Sequence, residues 1–277
     1  MRMTRNTVAA LNRKVANGEK LVMVTAYDYP SAVLAEQAGV DMILVGDSVG
    51  NVVLGYEDTV PVSMDEMIYH TSAVSRGVKN AMLVADMPYG SYQAGTEQAI
   101  ANAIRLIKEG GAQAVKLEGS QWSSLVHEMS RRGIPVMAHL GLEPQIAGLW
   151  EGYKTHGRDE DTAWALVDAA QEMEEAGAFS VLLDCVAVEA SRLISAKIDI
   201  PTIGIGSGAD CDGQVLVLHD LLGINTGHVP KFVKQYAHIG EDIVSAIRNY
   251  AAEVREGVFP DAEHSVNMEA GEAQRIY

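Results

Sequence analysis

The sequence predicts an α/β protein built as a closed (β/α)8 TIM barrel. Two observations carry that prediction. Short, continuous apolar runs rich in β-branched residues alternate with longer amphipathic segments almost from end to end, and eight such runs stand in order. The chain has 277 residues, and one such barrel occupies roughly 250. An open doubly wound sheet is the competing arrangement; eight strands in β-α alternation favour closure.

The runs are Leu21–Tyr27, Asp41–Asp47, Ala81–Met87, Ala114–Gly119, Ile134–Gly141, Phe179–Val186, Ile200–Ser207 and Val215–His219. They are continuous rather than alternating, as expected for parallel strands buried on both faces. Between them lie helix-like stretches, among them Thr96–Glu109, Ser120–Arg132, Glu160–Ala176 and Ala187–Lys197. Glycine-bearing stops such as Glu109-Gly110-Gly111 and Glu175-Ala176-Gly177 suit the left-handed turn that ends a helix. No low-complexity linker interrupts the pattern. Residues 1–260 therefore read as a single barrel domain, and the polar segment 261–277 as a C-terminal tail or oligomer arm.

Hydrophobic residues make up 48% of the chain and charged residues 21%, a composition that excludes disorder of the whole chain. The formal net charge of −16 repels nucleic-acid phosphates and anionic lipid, so neither a nucleic-acid nor a membrane partner is expected. The same charge poses a local problem: an anionic substrate needs a cation or well-placed donors at its site. Cys185 and Cys211 do not make a disulfide framework. Arg2, Arg5, Arg13 and Lys14 precede no apolar run of signal-peptide length. No apolar stretch approaches the ~18–20 residues of a membrane span, and a cytoplasmic location is the expectation.

Barrel chemistry is built at the carboxyl ends of the strands, and there the sequence is unusually charged. The ends read Thr25-Ala26-Tyr27-Asp28, Val45-Gly46-Asp47-Ser48, Val84-Ala85-Asp86, Val115-Lys116-Leu117-Glu118, Ala138-His139 and Leu183-Asp184. Carboxylates crowded at one rim repel one another unless a cation compensates. Magnesium suits hard oxygen ligands and keeps waters that a substrate can replace. Zinc fits less well, because no close His/Cys ligand spacing occurs.

Each residue also has a plainer reading. A single acid at a strand end is commonly a helix cap or loop start, and Asp28 in Tyr27-Asp28-Tyr29-Pro30 suits a turn equally well. Lys116 and Glu118, two apart, share one face of their strand, where they serve either as a salt bridge or as a substrate-binding pair. His139 is either structural or catalytic. Gly204-Ile205-Gly206-Ser207-Gly208 resembles a phosphate-cradling loop, although close backbone packing explains it equally well. Cys185 reads as a small core residue, and Met64 and Met67 as packing.

Longer segments carry a resemblance. They include Leu44-Val45-Gly46-Asp47-Ser48-Val49-Gly50, Tyr69-His70-Thr71, Ala85-Asp86-Met87-Pro88, Val115-Lys116-Leu117-Glu118-Gly119 and His139-Leu140-Gly141-Leu142. Asp212-Gly213-Gln214-Val215-Leu216-Val217, Gly227-His228-Val229-Pro230-Lys231-Phe232 and Glu263-His264-Ser265 complete the set. Together, from about Leu21 to Ser265, the chain resembles the ketopantoate hydroxymethyltransferase family. That resemblance implies a barrel of the phosphoenolpyruvate/isocitrate lyase type, assembled into a large homo-oligomer, a decamer. It implies Asp47, Asp86 and Glu118 as ligands of Mg2+, and Asp47, Ser48, Asp86 and Lys116 as contacts of a small-molecule 2-oxo acid; His139 joins these as a candidate substrate contact. It further implies a magnesium-stabilised enolate that takes a one-carbon unit from 5,10-methylenetetrahydrofolate to give 2-dehydropantoate.

The sequence departs from the family pattern in two places. Where the family's base is a glutamate in Glu-Cys-Val-Pro, this chain has Asp184-Cys185-Val186-Ala187, which makes Asp184 the candidate catalytic base. Aspartate keeps the acid–base chemistry and withdraws the carboxylate by about 1.5 Å; a displacement of ~1 Å costs on the order of 100-fold in rate when nothing compensates. In the loop after strand five, Glu143 replaces the threonine of Leu-Thr-Pro-Gln, and Glu151 and His156 replace a glycine and a glutamine. These changes leave two rival readings. One is a related Mg-dependent aldolase or lyase acting on a different 2-oxo acid; the other is a metabolite-binding paralogue that has lost its base.

Overall fold

Eight strands form in the computed structural model, which describes residues 5–148, 152–225, 227 and 229–276. Glu151 and His228 lie outside the described residues. The strands are β1 (Leu21–Thr25), β2 (Met42–Val45), β3 (Met82–Asp86), β4 (Ala114–Glu118), β5 (Val136–Gly141), β6 (Ser180–Asp184), β7 (Thr202–Ile205) and β8 (Gly213–Leu216). They pair in chain order, every pair parallel, and β8 returns to β1 to close the barrel. The fold is the (β/α)8 barrel that the alternation predicts.

Successive strand residues point to opposite faces, and the inward face changes character along the strands. Met82, Val84, Ala114, Met137 and Leu182 join Leu21, Met23, Met42 and Leu44 in one buried apolar cluster. Further along the same faces stand Asp86, Lys116, Glu118, His139 and Asp184. An oily layer therefore floors a charged one. Helix α1 (Val8–Ala16) adds Leu11 to the apolar cluster. The segment leading into it is tied to residues just before the strands: Asn6 donates to Asp41 O, and Gln113 donates to Asn6 O.

Helices α2 (Tyr29–Gln37), α3 (Met64–Gly77), α4 (Thr96–Lys108), α5 (Ser123–Ser130), α6 (Pro144–Ala147), α7 (Glu160–Glu175) and α8 (Val188–Ser195) follow strands one to six, and α9 (Leu218–Leu222) follows β8. Each long helix buries a single stripe, such as Ala99, Ala103 and Leu106 on α4 or Val167, Ala170 and Met173 on α7. Asp28 caps α2: its carboxylate accepts from Ser31 N at 2.7 Å, and the Ser31 hydroxyl reaches back to the cap. Asp28 is exposed and belongs to the helix start, not to the charged rim.

Most strands are a residue or two shorter at their ends than the apolar runs, and two elements differ by more. The last strand is Gly213–Leu216, earlier than Val215–His219. Its first residue is glycine because a Cβ there would lie 2.6 Å from Leu21 O, so a tight strand contact wears the sequence signature of a turn. The stretch Ser120–Arg132 splits into a 3₁₀ turn at Ser120–Trp122 followed by α5.

The chain divides into two compact units. One comprises the described residues up to Leu218 with Pro230–Val233, and the other those of His219–Val229 and from Lys234 onward. The second unit contains α10 (Ile239–Glu256) and the polar segment from 261. Helix α10 buries no side chain, and Ile243, Val244, Ile247, Tyr250 and Val254 are exposed on it. Among the described residues no helix is long and apolar enough to cross a membrane.

Removing the α2 cap tests its assignment. Asp28→Ala should cost about 1 kcal/mol of stability, read as a shift of the denaturation midpoint, and should leave catalytic turnover unchanged. A loss of turnover without loss of stability would return Asp28 to the rim.

Candidate active site

The strand register sets the site. Asp86 on β3 pairs in register with Lys116 on β4, Glu118 on β4 with His139 on β5, and Gly141 on β5 with Asp184 on β6. Neighbouring strands thus deliver charged side chains at one level of the barrel mouth. Asp47 follows β2 immediately. Asp47, Asp86, Lys116, Glu118 and His139 are exposed by only 4, 2, 4, 2 and 3%.

Lys116 Nζ lies 2.9 Å from Asp86 Oδ1 and 3.1 Å from His139 Nδ1. Burial works against the ammonium, but Asp86, Glu118 and Asp47 together outweigh it and hold its pKa above the usual lysine range. Burial, reinforced by Asp86 and Glu118, pushes Asp47 well above the usual carboxylate range. Burial likewise raises Glu118 to about 7, against the pull of Lys116. Three carboxylates facing one lysine leave the cluster short of positive charge.

His139 has a defined state. Burial, then the neighbouring ammonium, lowers it to about 4, so the ring is neutral near pH 7. The ammonium has hydrogens only to give, so Nδ1 accepts and the ring proton sits on Nε2. Nε2 faces Asp184 Oδ2 at 3.6 Å and has no hydrogen-bond partner among the described residues. Glu118 Oε1 lies 3.4 Å from Nδ1. Both ring nitrogens therefore face protein groups.

Asp184 ends β6, its side chain 13% exposed, and burial raises its pKa while His139 opposes the rise. The corner that follows is strained: Cys185 has φ 50°, the only positive φ among the described non-glycine residues. Bonds on every side pin it. Leu142 N donates to Asp184 O at 2.8 Å, Cys185 N to Ile205 O at 2.9 Å, and His156 N to Cys185 O at 2.8 Å. Ser207 Oγ accepts from Val186 N at 3.0 Å and donates to Leu183 O at 2.8 Å. The Gly204–Gly208 segment is accordingly a brace for the Asp184–Val186 corner, with Gly206 against the Phe232 ring. Cys185 is half-buried rather than a core residue. Burial, then the neighbouring Asp184 carboxylate, raises its thiol to about 12.

Ser48 Oγ lies 2.8 Å from Tyr27 Oη. Glu143 begins the turn into α6, half-buried, and burial followed by repulsion from Glu118 raises it to about 7. His156 contributes its backbone to the Asp184 corner through the bridge to Val186.

Two participants escape the sequence reading. Gln145 and Tyr92 are buried at 1 and 2% exposure and touch the acidic cluster directly. The available signal was the position of Gln145 in Leu142-Glu143-Pro144-Gln145, just past β5; Tyr92, in the loop after β3, carries none.

The structure thus brings Asp47, Asp86, Lys116, Glu118, His139 and Asp184 together. Among the described residues no three His, Cys, Asp or Glu side chains form a ready-made metal cage. Magnesium asks for less, since one or two carboxylates with waters and substrate oxygens complete its shell. Asp86 Oδ1 has no aligned hydrogen bond, only the ion pair to Lys116. With hard oxygen donors and a deficit of positive charge, the residues present fit a divalent ion.

Comparison with known proteins bears on the family and on the fold. Residues 5–262 match the family model described as ketopantoate hydroxymethyltransferase. The 3-methyl-2-oxobutanoate hydroxymethyltransferase of Carboxydothermus hydrogenoformans is 52% identical over 276 residues, 99% of this chain and 100% of that protein. Its namesake from Geobacillus kaustophilus is 52% identical over 261 residues, 94% of each. Among solved structures, a phosphonopyruvate hydrolase complex with oxalate and Mg++ matches with a TM-score of 0.60 at 16% identity, covering 97% of this chain and 96% of that one. A 2,3-dimethylmalate lyase of the PEP mutase/isocitrate lyase superfamily matches with a TM-score of 0.58 at 15% identity, covering 97% and 93%. The structural likenesses speak to the fold alone. The sequence likeness spans the charged mouth and both flanking loops, and by it the chain belongs to the ketopantoate hydroxymethyltransferase family.

Proposed function

We propose that the chain transfers a hydroxymethyl group from 5,10-methylenetetrahydrofolate to 3-methyl-2-oxobutanoate, giving 2-dehydropantoate. The observation that carries the proposal is the convergence of Asp47, Asp86, Lys116, Glu118 and His139 beside Asp184 in a chain half identical to proteins of that name. The folate donor rests on the family resemblance.

In this reading Asp47, Asp86 and Glu118 would hold the magnesium ion. When bound, the ion would draw the keto-carboxylate into place and stabilise negative charge developing on the ketone oxygen. Lys116, kept charged by its acidic neighbours, offers the substrate's oxygens a cation inside an acidic protein. Ser48, positioned by Tyr27, adds a hydroxyl. Asp184 removes the proton from the carbon next to the ketone, and its raised basicity suits the task. The electron pair of that C–H bond then makes the new carbon–carbon bond to the one-carbon unit; water supplies the hydroxyl, and tetrahydrofolate leaves. His139 borders the base, its Nε2 facing the Asp184 carboxylate at 3.6 Å. Self-association into a homo-oligomer belongs to the same proposal, supported by the exposed apolar residues of α10.

Purified protein given the 2-oxo acid, magnesium and the folate should form 2-dehydropantoate; folded, metal-loaded protein that forms none rejects the proposal. Deuterium exchange across a panel of 2-oxo acids separates this reaction from an aldolase or lyase of other specificity, a rival favoured by the half-buried acid Glu143. Exchange into 3-methyl-2-oxobutanoate should be the fastest.

Variants separate the roles. Asp184→Asn should keep substrate binding and lower exchange by about 10²–10⁴-fold; surviving exchange would move the base elsewhere. Asp86→Ala should abolish magnesium-dependent binding of the 2-oxo acid by calorimetry, and unchanged magnesium dependence would remove Asp86 from the metal site.

The raised carboxyls also set a pH dependence. Glu118, at about 7 in the folded protein, binds its proton more tightly than in the unfolded chain, so stability falls as pH rises through that range. Glu143, also about 7, adds to the fall. His139, at about 4 when folded, opposes the fall mainly below its unfolded value of about 6.5 and only slightly above it. Chelator-treated protein should thus melt at a lower temperature at pH 8 than at pH 6.5, and added magnesium should reverse the difference. A metal-free melting temperature that rises over this interval would contradict the charge assignment.

A further inference from the structure

Gln145 takes no part in the steps above, yet it is among the most heavily bonded side chains of the mouth. Its Nε2 donates to Asp47 Oδ2 at 2.8 Å and to Met87 O at 2.9 Å, and its Oε1 accepts from Tyr92 Oη at 2.6 Å. The orientation of the amide is forced. A carboxylate and a carbonyl only accept, and the tyrosine hydroxyl alone has a hydrogen to give, so a flipped amide would set oxygen against two acceptors. The backbone N–H of Gln145 donates to Glu118 Oε2 at 3.1 Å, and the Tyr92 oxygen accepts from Glu118 N at 3.3 Å. One residue therefore engages one oxygen on each of two carboxylates that come from different strands. Among the described residues the Asp47 side chain has no other hydrogen-bond donor. Tyr92 is itself held edge-on to Trp122, ring centroids 5.4 Å apart.

The chemistry of this arrangement is specific. Neutral donors hold two mutually repelling carboxylates in place without neutralising them, so their charge is left for a cation. A lysine or arginine at the same point would satisfy the same oxygens and cancel that charge. We infer that Gln145, backed by Tyr92, is a positioning residue that sets the divalent-cation affinity of the Asp47–Glu118 pair. The inference rests on the magnesium reading above. It concerns affinity for the ion and not the chemical step.

The test uses the full-length chain in its native assembly, with MgCl2 titrated calorimetrically at fixed pH and ionic strength. The magnesium concentration for half-maximal deuterium exchange into 3-methyl-2-oxobutanoate is measured alongside. Gln145→Met keeps side-chain length and removes both polar atoms. It should weaken Mg2+ binding by about 10–100-fold, the usual cost of losing an outer-shell partner. It should raise the half-maximal magnesium concentration by the same factor and return exchange to near the parental rate once magnesium saturates. Tyr92→Phe should shift the affinity in the same direction by less. Parental affinity in Gln145→Met overturns the inference, as does exchange that stays low at every magnesium concentration. Should Gln145→Met fail to fold, Tyr92→Phe decides: unchanged affinity overturns the inference, and weakened affinity with full exchange at saturation upholds it. A parent chain that binds no magnesium removes the underlying reading and this inference with it, whereas a normal parent with an unaffected variant removes this inference alone.

Discussion

One buried ammonium facing three buried carboxylates is the constraint on which the barrel mouth depends. Lys116 cannot be stripped of its charge, because Asp86 lies 2.9 Å away and Glu118 and Asp47 surround it. The acids cannot all be charged without cost, because burial and mutual repulsion raise Asp47 and Glu118. A site in this condition takes up either protons or a cation, and which one it holds depends on pH. The groups around it leave that choice open. Among the described residues the other donors to the carboxylates are the Asp47 backbone N–H, the Gln145 side chain and the Gln145 backbone N–H, all neutral, so Lys116 is the one cation in contact there.

The second constraint is the corner after β6. A non-glycine residue at φ 50° costs of order 1–3 kcal/mol and persists only where its surroundings over-determine it. Here they do, through hydrogen bonds from the β5 loop, the β7 strand, Ser207 and the backbone of His156. Gly141 belongs to the same device. It has φ 98°, and a Cβ there would lie 2.3 Å from Asp184 O, so the close approach of the two strand ends admits only glycine. The Asp184 carboxylate is thus carried on a rigid support, with His139 Nε2 facing it at 3.6 Å.

Much of this was legible before folding. Continuous apolar runs announce parallel strands, and charged residues at their ends announce where chemistry gathers, because a closed barrel has one face at which all its strands terminate. The two-residue spacing of Lys116 and Glu118 places both on the inner face, and the structure puts them there. Single positions leave two readings open, and the folded chain selects the plainer one. Asp28 shares the strand-end signature but is a helix cap, since a helix start and a catalytic rim occupy the same stretch after a barrel strand. The glycines at 204, 206 and 208 suggest a cradle but serve as packing for a brace.

The order of the elements, the class of fold and the identities of the converging acids follow from the sequence by itself, because continuous apolar runs and strand-end position are local properties of the chain. Tertiary structure alone decided the protonation pattern, the tautomer of His139 and the roles of Gln145 and Tyr92. Those depend on which groups meet across strands remote in sequence, Gln145 reaching Asp47 over 98 positions. Electrostatic energies at such contacts are set by distance and burial, and neither exists until the barrel has closed.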